Sequence, residues 1–455
     1  MDLFPHQQKG VDFLSASEGT KGLFYGMGTG KTLTSIYAAR SVGVDRMVVI
    51  GPPISLPMWA ATCEEHMKDL PGDAAVQLLA TGATKIKAGM TVLVVSYAIA
   101  AKRATELRNW LGEGVAPVLI CDESHALKSV TAKRTKAILG RGGLASGAGY
   151  VWMLTGTPIT RWNDDMYPFL CRADLSGMKE ICGGVSPEKF QLRYTVRQKR
   201  KFAGARFATD TVVGNRNTNE LADWVYGKGL AIRVDLEEVF RDMPPITHNR
   251  YAIAVDADAQ LKAELKAMDK MSLGEIEERL QSSDPEVSLS RVRRMLGVGK
   301  VKAAAAEIVE RIESGVSVLV GAWHTEVIDE LAAALRAKKL RVGVIDGRTS
   351  GARKQQVQDD WNAGKLDAVI GQLASMAVSL NLQQGGHHIV VVEEDWSPEI
   401  MRQFYARLWR YGQEKHVHVD TLVTTTKLDQ AVARISAAKS RGIEKMNEIG
   451  NHANS

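Results

Sequence analysis

The sequence predicts an α/β protein with two parallel sheets in tandem, because short apolar strands alternate with amphipathic helical segments in both halves of its 455 residues. A chain of this length normally holds two domains, each large enough for its own core. In the first half, strands are expected near Leu23 and at Met47–Ile50, Val92–Val95, Val118–Cys121 and Val151–Leu154. In the second half, they are expected at Val316–Val320, Arg341–Ile345, Ala368–Ile370, Ile389–Val392 and His418–Val423.

Amphipathic helices are expected between the strands of the second half, at Lys302–Ile312, Val327–Ala337 and Ile400–Arg410. Pro244-Pro245 is the predicted hinge, because consecutive prolines stop a helix and stiffen a linker. The predicted organisation is a first lobe at 1–243 with a helical and basic insertion from about 166, a second lobe at 244–446 with a helical arm near 256–298, and a flexible tail at 447–455.

A glycine-rich loop follows the first strand and precedes a helical pattern. Such a loop wraps phosphates with its backbone N–H groups, and the start of the next helix adds a favourable dipole. Lys31 can reach the β- and γ-phosphates, while the Thr32 hydroxyl can hold Mg²⁺. Tyr25 replaces the first glycine of the full GxxxxGK[ST] pattern, so a plain glycine-rich turn is the alternative. The residues expected to contact the nucleotide are Met27, Gly28, Thr29, Gly30, Lys31 and Thr32.

Two further strands end in polar residues. Val118–His125 is an apolar strand that finishes in two carboxylates, and Tyr150–Leu154 leads into Thr155-Gly-Thr-Pro158. Asp122 can bind Mg²⁺, and Glu123 can polarise an attacking water. Solvated acids often cap a strand without any function. Three polar strand ends in one half of the chain favour a ligand crevice instead.

Taken in order, MGTGKT, DESH and LTGTP resemble motifs I, II and III of superfamily-two helicases and translocases. Phe4–Leu14 is similar to the segment that opens the Swi/Snf-type branch, which places Gln7 at its adenine-reading glutamine. Gly51-Pro-Pro with Trp59 resembles motif Ia, and Val95-Ser-Tyr97 resembles motif Ib. The likeness extends to small annealing-helicase-like remodellers and their phage and bacterial relatives. It implies two RecA-like lobes with an ATP cleft between them, and ATP and Mg²⁺ as cofactors.

The second half continues the resemblance. Val344–Ser350 looks like a further signature of the branch, and Trp396-Ser-Pro398 with the residues up to Gln413 is similar to motif VI. In that motif Arg407 and Arg410 are spaced i, i+3, so one helix face can present both to the γ-phosphate as catalytic cations. The alternative is a helix surface that makes salt bridges. By the same resemblance, Gln403 is a nucleotide contact.

The resemblance also implies DNA contacts, which hold phosphates without reading sequence. A basic run at 193–206 could grip a backbone, although such runs are usually solvated loops. In motif V, Ala377 and Ser379 stand where the branch usually has paired glycines. The DNA contacts expected by family position are Ser96, Tyr97, Thr349, Ser350, Ser379, Asn381 and Trp396.

Composition agrees with a globular DNA-binding protein. The chain is 45% hydrophobic and 24% charged, with a net charge of +6, a modest basic excess that suits phosphate binding. No apolar run or leader pattern indicates a membrane span or secretion. The four cysteines lack ligand spacing, which favours reduced thiols over zinc or disulfides. We expect a monomer in the cytoplasm of a bacterial or phage-infected host, with the nucleus as the eukaryotic alternative.

The leading hypothesis is a DNA-dependent ATPase that translocates on double-stranded DNA and remodels what it meets. A strand-separating helicase is the second hypothesis. The third is a nucleotide-dependent DNA-binding switch that hydrolyses ATP weakly because motif V has diverged.

Overall fold

The computed structural model describes residues 3–53, 55–68, 75–160, 162–200, 209–240, 242–280, 289–376, 380–437 and 440. The described chain divides into two compact units, one ending at Val239 and the other running from Phe240 to Ser440. The predictions that lie outside the described residues are the DNA contact at Ser379, the motif V position Ala377, residues 201–206 of the basic run and the tail at 447–455. Within the described residues, every helix is too short or too polar to cross a lipid bilayer.

The first unit is built from nine strands and eleven α-helices in the described residues. The strands are β1 (Gly19–Tyr25), β2 (Met47–Gly51), β3 (Val76–Leu79), β4 (Val92–Ser96), β5 (Val118–Asp122), β6 (Tyr150–Leu154), β7 (Thr195–Arg200), β8 (Thr209–Asn215) and β9 (Ala231–Val234). The helices are α1 (Pro5–Ser15), α2 (Lys31–Ser41), α3 (Leu56–Met67), α4 (Tyr97–Lys102), α5 (Ala104–Gly112), α6 (Lys133–Leu139), α7 (Tyr167–Ala173), α8 (Leu175–Cys182), α9 (Pro187–Tyr194), α10 (Thr218–Ala222) and α11 (Leu236–Val239).

Seven of these strands form one parallel sheet in the order β3-β4-β2-β5-β6-β1-β9. Both faces of the sheet are buried, as near-continuous apolar strands predict. On β2, Val48 and Ile50 enter one core cluster while Met47 and Val49 enter the other. This order places β5, β6 and β1 side by side, so the three polar strand ends meet at one edge of the sheet.

In the described residues, the second unit contains six strands, seven labelled α-helices and one further helical segment. The strands are β10 (Ile246–Ala252), β11 (Val318–Ala322), β12 (Val342–Ile345), β13 (Ala368–Gln372), β14 (His388–Val391) and β15 (Val417–Val423). The helices are α12 (Ala259–Met268), α13 (Leu273–Leu280), α14 (Ser290–Glu313), α15 (Thr325–Ala337), α16 (Gly351–Asn362), α17 (Leu373–Met376) and α18 (Pro398–Tyr405). Residues 427–437 are also helical.

The second sheet is parallel throughout, in the order β10-β15-β14-β11-β13-β12. Its strands again bury alternate side chains on opposite faces, such as Val318 on one and Leu319 on the other. Helices α12 and α13 pack with the start of α14 and residues 427–437 in a separate apolar cluster. The prediction of two tandem parallel-sheet lobes with helical insertions is therefore confirmed.

Three local features differ from the sequence-based expectations. Strands β7 and β8 form an antiparallel hairpin where no strand was expected, because backbone pairing and a cross-strand Arg197–Asp210 ion pair stabilise a segment without apolar alternation. Strand β9 is only four residues long and contains Arg233, so its sequence does not resemble a buried strand. Helix α18 ends at Tyr405, so Arg407 and Arg410 lie beyond the helix predicted to carry them.

Four histidines form a row where β14 and β15 begin. The ring centroids of His416 and His418 are 4.2 Å apart, those of His418 and His388 4.7 Å, and those of His388 and His387 5.0 Å. Burial, followed by the charges of His387 and His418, lowers the pKa of His388 to about 4. The folded unit therefore binds a proton at His388 less readily than the unfolded chain does.

This difference predicts a loss of stability in acid. Between about pH 6.5 and about pH 4, His388 is protonated in the unfolded chain but stays neutral in the folded unit. The free energy of unfolding should therefore decrease as the pH falls through this range. His388→Gln should reduce that pH dependence in urea titrations followed by circular dichroism, whereas His66→Gln in the first unit should retain it. An unchanged pH dependence in His388→Gln would contradict this account.

Candidate nucleotide site

The glycine-rich loop runs between β1 and α2, as its sequence predicts. Gly28 and Gly30 have φ values of 75° and 85°, a left-handed conformation that glycine adopts without a steric cost. A Cβ at Gly30 would lie 2.1 Å from Gln7 Nε2, so a larger residue would require the Gln7 side chain to move. The backbone conformation therefore favours glycine at this position, and the position of Gln7 adds to that preference.

The loop encloses Lys31 and Thr29. Lys31 Nζ donates to the backbone carbonyls of Tyr25 at 3.0 Å and Gly26 at 3.1 Å. The Thr29 hydroxyl donates to the same Gly26 carbonyl at 2.7 Å, and Thr29 is 1% exposed. Met27 and Thr32 are partly exposed on either side of these buried contacts. The loop thus holds its ammonium group beside its own backbone.

Helix α1 supports the loop through two side chains. Gln7 Nε2 donates to the Thr29 carbonyl at 3.4 Å, and Gln7 Oε1 accepts from the Phe4 backbone at 3.0 Å. His6 Nε2 lies 2.8 Å from the same Thr29 carbonyl, and burial lowers the pKa of His6. The structure therefore places Gln7 at the loop, and it adds His6, which the sequence reading did not identify.

The two carboxylates lie at the end of β5. Asp122 is 8% exposed and accepts from Trp59 Nε1 at 2.8 Å and from the Glu123 backbone at 3.1 Å. Burial, followed by the charge of Glu123, raises the pKa of Asp122 to about 6, while Trp59 and Lys31 act in the opposite direction. Glu123 has a φ of 49°, which is uncommon for a residue with a side chain and turns the chain sharply after the strand.

Ser96 and Tyr97 are buried where β4 ends and helix α4 begins. Each is 6% exposed. The Tyr97 hydroxyl donates to the Asp122 carbonyl at 2.7 Å, and the Ser96 side chain caps helix α4 by accepting from the Ile99 backbone at 3.3 Å. The structure thus gives both predicted DNA contacts a local structural partner.

His125 connects the second and third polar strand ends. Its Nδ1 lies 3.2 Å from Glu123 Oε2 and 3.3 Å from Thr155 Oγ1. Thr155 Oγ1 also accepts from the Thr157 backbone at 3.1 Å, which fixes the turn after β6. The sequence identified these segments as motifs, but it did not identify His125 as the residue that joins them.

In the second unit, the two predicted catalytic arginines share one backbone acceptor. Arg407 is 7% exposed and donates to the carbonyls of Leu380 at 3.0 Å and Gln403 at 2.9 Å. Arg410 donates to the Leu380 carbonyl at 3.3 Å and to the Asn381 side chain, and burial lowers its pKa. The Gln403 side chain donates to Glu399 at 3.0 Å. Asn381, a predicted DNA contact, is therefore next to Arg410.

The remaining predicted DNA contacts lie after strands β12 and β14. Thr349 donates through its hydroxyl to Asp346 at 3.2 Å, and Ser350 caps helix α16 by accepting from the Arg353 backbone at 3.3 Å. The Trp396 ring lies 4.6 Å from the Arg293 guanidinium carbon. Each of these side chains thus has a defined partner within its own unit.

A parallel sheet with a lysine-bearing glycine loop and a neighbouring acidic strand end defines a P-loop nucleotide-binding protein. Comparison with known protein families makes this assignment more specific. Residues 6–175 match the SNF2-related domain, and residues 299–412 match the helicase conserved C-terminal domain. The chain is thus similar, over part of each unit, to the Swi/Snf-type branch of helicase superfamily two.

Curated relatives agree with this assignment. The chain is 25% identical over 432 residues to a SWI/SNF-related matrix-associated actin-dependent regulator of chromatin subfamily A-like protein 1 from Xenopus tropicalis, covering 94% of this chain and 43% of the relative. It is 23% identical over 520 residues to the DNA repair and recombination protein RAD54 of Oryza sativa subsp. japonica, covering 98% and 51%. It is 25% identical over 442 residues to the mouse (Mus musculus) DNA annealing helicase and endonuclease ZRANB3, covering 94% and 39%. The chain therefore spans about half the length of these relatives or less.

Because Trp59 donates a hydrogen bond to Asp122, we expect Trp59→Phe to destabilise the first unit more than Trp152→Phe does. Trp59→Phe removes a donor from a buried carboxylate, so it should lower the free energy of unfolding by about 1.5–3 kcal/mol at neutral pH. Trp152→Phe is the control, because Trp152 is equally buried and its indole N–H has no hydrogen-bond partner among the residues that the structure describes. Equal losses in the two variants, measured by urea titration, would show that the hydrogen bond contributes little.

Proposed function

We propose that this chain hydrolyses ATP in response to double-stranded DNA and uses the turnover to translocate on the duplex and remodel what it meets. The observation that carries the proposal is the shared sheet edge at which the Lys31 loop and the Asp122–Glu123 strand end meet. The DNA-related names of the curated relatives support the choice of polymer.

In this proposal the loop binds the triphosphate. Lys31 exchanges its two backbone carbonyl acceptors for phosphate oxygens, and the loop backbone from Met27 to Thr32 supplies N–H donors. Gln7 reads the adenine, for which its position on α1 beside the Thr29 carbonyl is the supporting observation. Gln403 completes the set of nucleotide contacts by family position.

Magnesium suits the donors that this site offers. The buried Asp122 carboxylate has a raised pKa because its surroundings disfavour the negative charge, and a divalent cation offsets that cost. Thr32 and Asp122 would hold the ion through oxygen atoms, the ligands that Mg²⁺ prefers. When bound, the ion neutralises charge on the phosphates.

Glu123 is the proposed catalytic carboxylate that orients the attacking water. Its left-handed backbone turns the side chain away from the path of β5, and His125 lies 3.2 Å from its carboxylate. A histidine at that distance can hold the carboxylate in one orientation. Thr155 in turn contacts the histidine, so the third strand end contributes to the same arrangement.

DNA binding is proposed for the residues that occupy the family positions. They share small hydroxyl or amide groups or an aromatic ring, which suit contacts to a phosphate backbone that do not depend on sequence. The net charge of +6 favours association with any polyphosphate strand. The proposed contacts are Ser96, Tyr97, Thr349, Ser350, Ser379, Asn381 and Trp396.

A steady-state ATPase titration tests the function. The wild-type chain should hydrolyse ATP faster with duplex DNA than without it, and Glu123→Gln should abolish turnover while fluorescent ATP analogues still bind, because the amide cannot accept a proton. Full turnover in Glu123→Gln would refute the role of that carboxylate.

Parallel titrations with single-stranded and forked DNA separate the alternatives. Displacement of a triplex strand without separation of a duplex identifies a translocase, and separation of duplex strands identifies a helicase. Tight nucleotide binding with no DNA stimulation in the wild type would identify the switch and overturn the motor proposal.

Arg410 is the better placed of the two candidate cations, because Arg407 is 7% exposed and held by two backbone carbonyls whereas Arg410 also contacts an exposed side chain. Arg410→Ala should reduce the turnover number by about a thousandfold, the scale of a lost arginine finger. Arg336→Ala is the control, because this arginine of the same unit is exposed and donates to the Val342 carbonyl at 3.1 Å. A decrease of only a few-fold in Arg410→Ala would contradict the assignment.

A further inference from the structure

Strand β9 carries an arginine into the interior of the first unit. Arg233 is 2% exposed and pairs in parallel register with Phe24 of β1. Taking a guanidinium group out of water is costly unless its donors and its charge are compensated. Arg233 is the one charged residue of the short strand Ala231–Val234, whose other residues are apolar.

The Arg233 side chain donates to a carboxylate and to two backbone carbonyls. Its guanidinium donates to Asp235 Oδ1 at 2.5 Å and, through Nε, to Asp235 Oδ2 at 3.3 Å. Its Nη1 donates to the carbonyls of Phe24 at 3.4 Å and Gly156 at 3.3 Å. Arginine suits this arrangement because its donors lie in a rigid plane, which an ammonium group does not reproduce.

One of the two carbonyls lies near the end of β1, just before the glycine-rich loop, and the other lies in the turn after β6. Phe24 directly precedes Tyr25 and Gly26, whose carbonyls accept from Lys31. Gly156 is the second residue of the turn after β6, and a Cβ there would lie 3.5 Å from the Tyr25 carbonyl oxygen. The end of β1, which leads into the loop, is therefore in close contact with the turn after β6, and Arg233 bonds to both.

Asp235 reinforces this arrangement from the other side. A Cβ at Gly26 would lie 3.3 Å from Asp235 Oδ1, so the carboxylate packs directly against the first residue of the glycine-rich loop. The Gly26 backbone also donates to the Val234 carbonyl at 2.7 Å. The end of strand β9 thus contacts the beginning of the loop through the Val234 carbonyl, and Asp235, the residue that follows the strand, contacts it through its carboxylate.

We infer that Arg233 is a positioning residue of the nucleotide site, with Asp235 as its anchor. By bonding to the Phe24 and Gly156 carbonyls together, Arg233 fixes the spacing between the glycine-rich loop and the turn after β6. That spacing sets where Lys31 and the loop N–H groups meet the phosphates. This inference rests on the proposed ATP site and adds to it a residue that touches no nucleotide.

The inference is tested on the full chain with Arg233→Met, which fills a similar volume without donors, and Arg233→Lys, which keeps the charge without the planar group. The control is Arg172→Met, because Arg172 is a half-buried arginine of the same unit that donates to a different carbonyl, that of Ala145, at 2.5 Å. Fluorescent ATP binding, KM for ATP and kcat are measured for each, with circular dichroism melting curves beside them.

Arg233→Met should weaken ATP binding and raise KM by about tenfold to a hundredfold, as loss of an outer supporting contact does elsewhere. Arg233→Lys should fall between Arg233→Met and the wild type. Arg172→Met should leave both values within about twofold of wild type, because a contact remote from the loop changes stability and not the placement of phosphate groups.

Two results would overturn the inference. Nucleotide affinities of Arg233→Met and Arg233→Lys equal to that of Arg172→Met would show that Arg233 serves stability alone, while wild-type binding upholds the proposed function. A wild-type chain that binds no ATP would overturn the proposed function and this inference with it. Arg233→Lys keeps the charge next to Asp235, so it provides the comparison even if Arg233→Met fails to fold.

Discussion

The buried carboxylate of Asp122 is the constraint on which the first unit depends. A carboxylate at this depth is costly, and the surrounding residues compensate for it with the Trp59 indole, the Glu123 backbone and the nearby charge of Lys31. Of these residues, Lys31 and Glu123 also have roles in the proposed chemistry. The electrostatic requirement of one side chain thus links the acidic strand end, the glycine-rich loop and helix α3.

The order of the parallel strands brings the motifs at the ends of β1, β5 and β6 together in one site. Because β5, β6 and β1 are neighbours and point the same way, the residues that follow them converge at one sheet edge. Side chains from helices and adjoining turns then connect these ends, as His125 does between Glu123 and Thr155. In the second unit, a shared contact likewise connects two predicted site residues, because Arg407 and Arg410 both donate to the Leu380 carbonyl.

Much of the fold and part of the site could be predicted because apolar alternation and local motifs are properties of short segments. The strands that precede the glycine-rich loop, Asp122 and Thr155 were all expected. The hairpin of β7 and β8 was not, since cross-strand pairing replaces apolar alternation there. Helix α18 was expected to reach Arg410 and ends at Tyr405, because the next residues form tighter turns in which the Arg407 and Leu408 N–H groups donate to the Phe404 and Tyr405 carbonyls.

By itself, the sequence determined the class of fold, the order of the motifs and the residues able to handle phosphate, because each is encoded within a few neighbouring positions. Only the tertiary structure decided which side chains support them. Trp59 meets Asp122 across 63 positions, and Arg233 meets Phe24 across 209. These pairs depend on the order of the strands and on which polar groups become buried together. Neither can be predicted from the pattern of residues within a short segment.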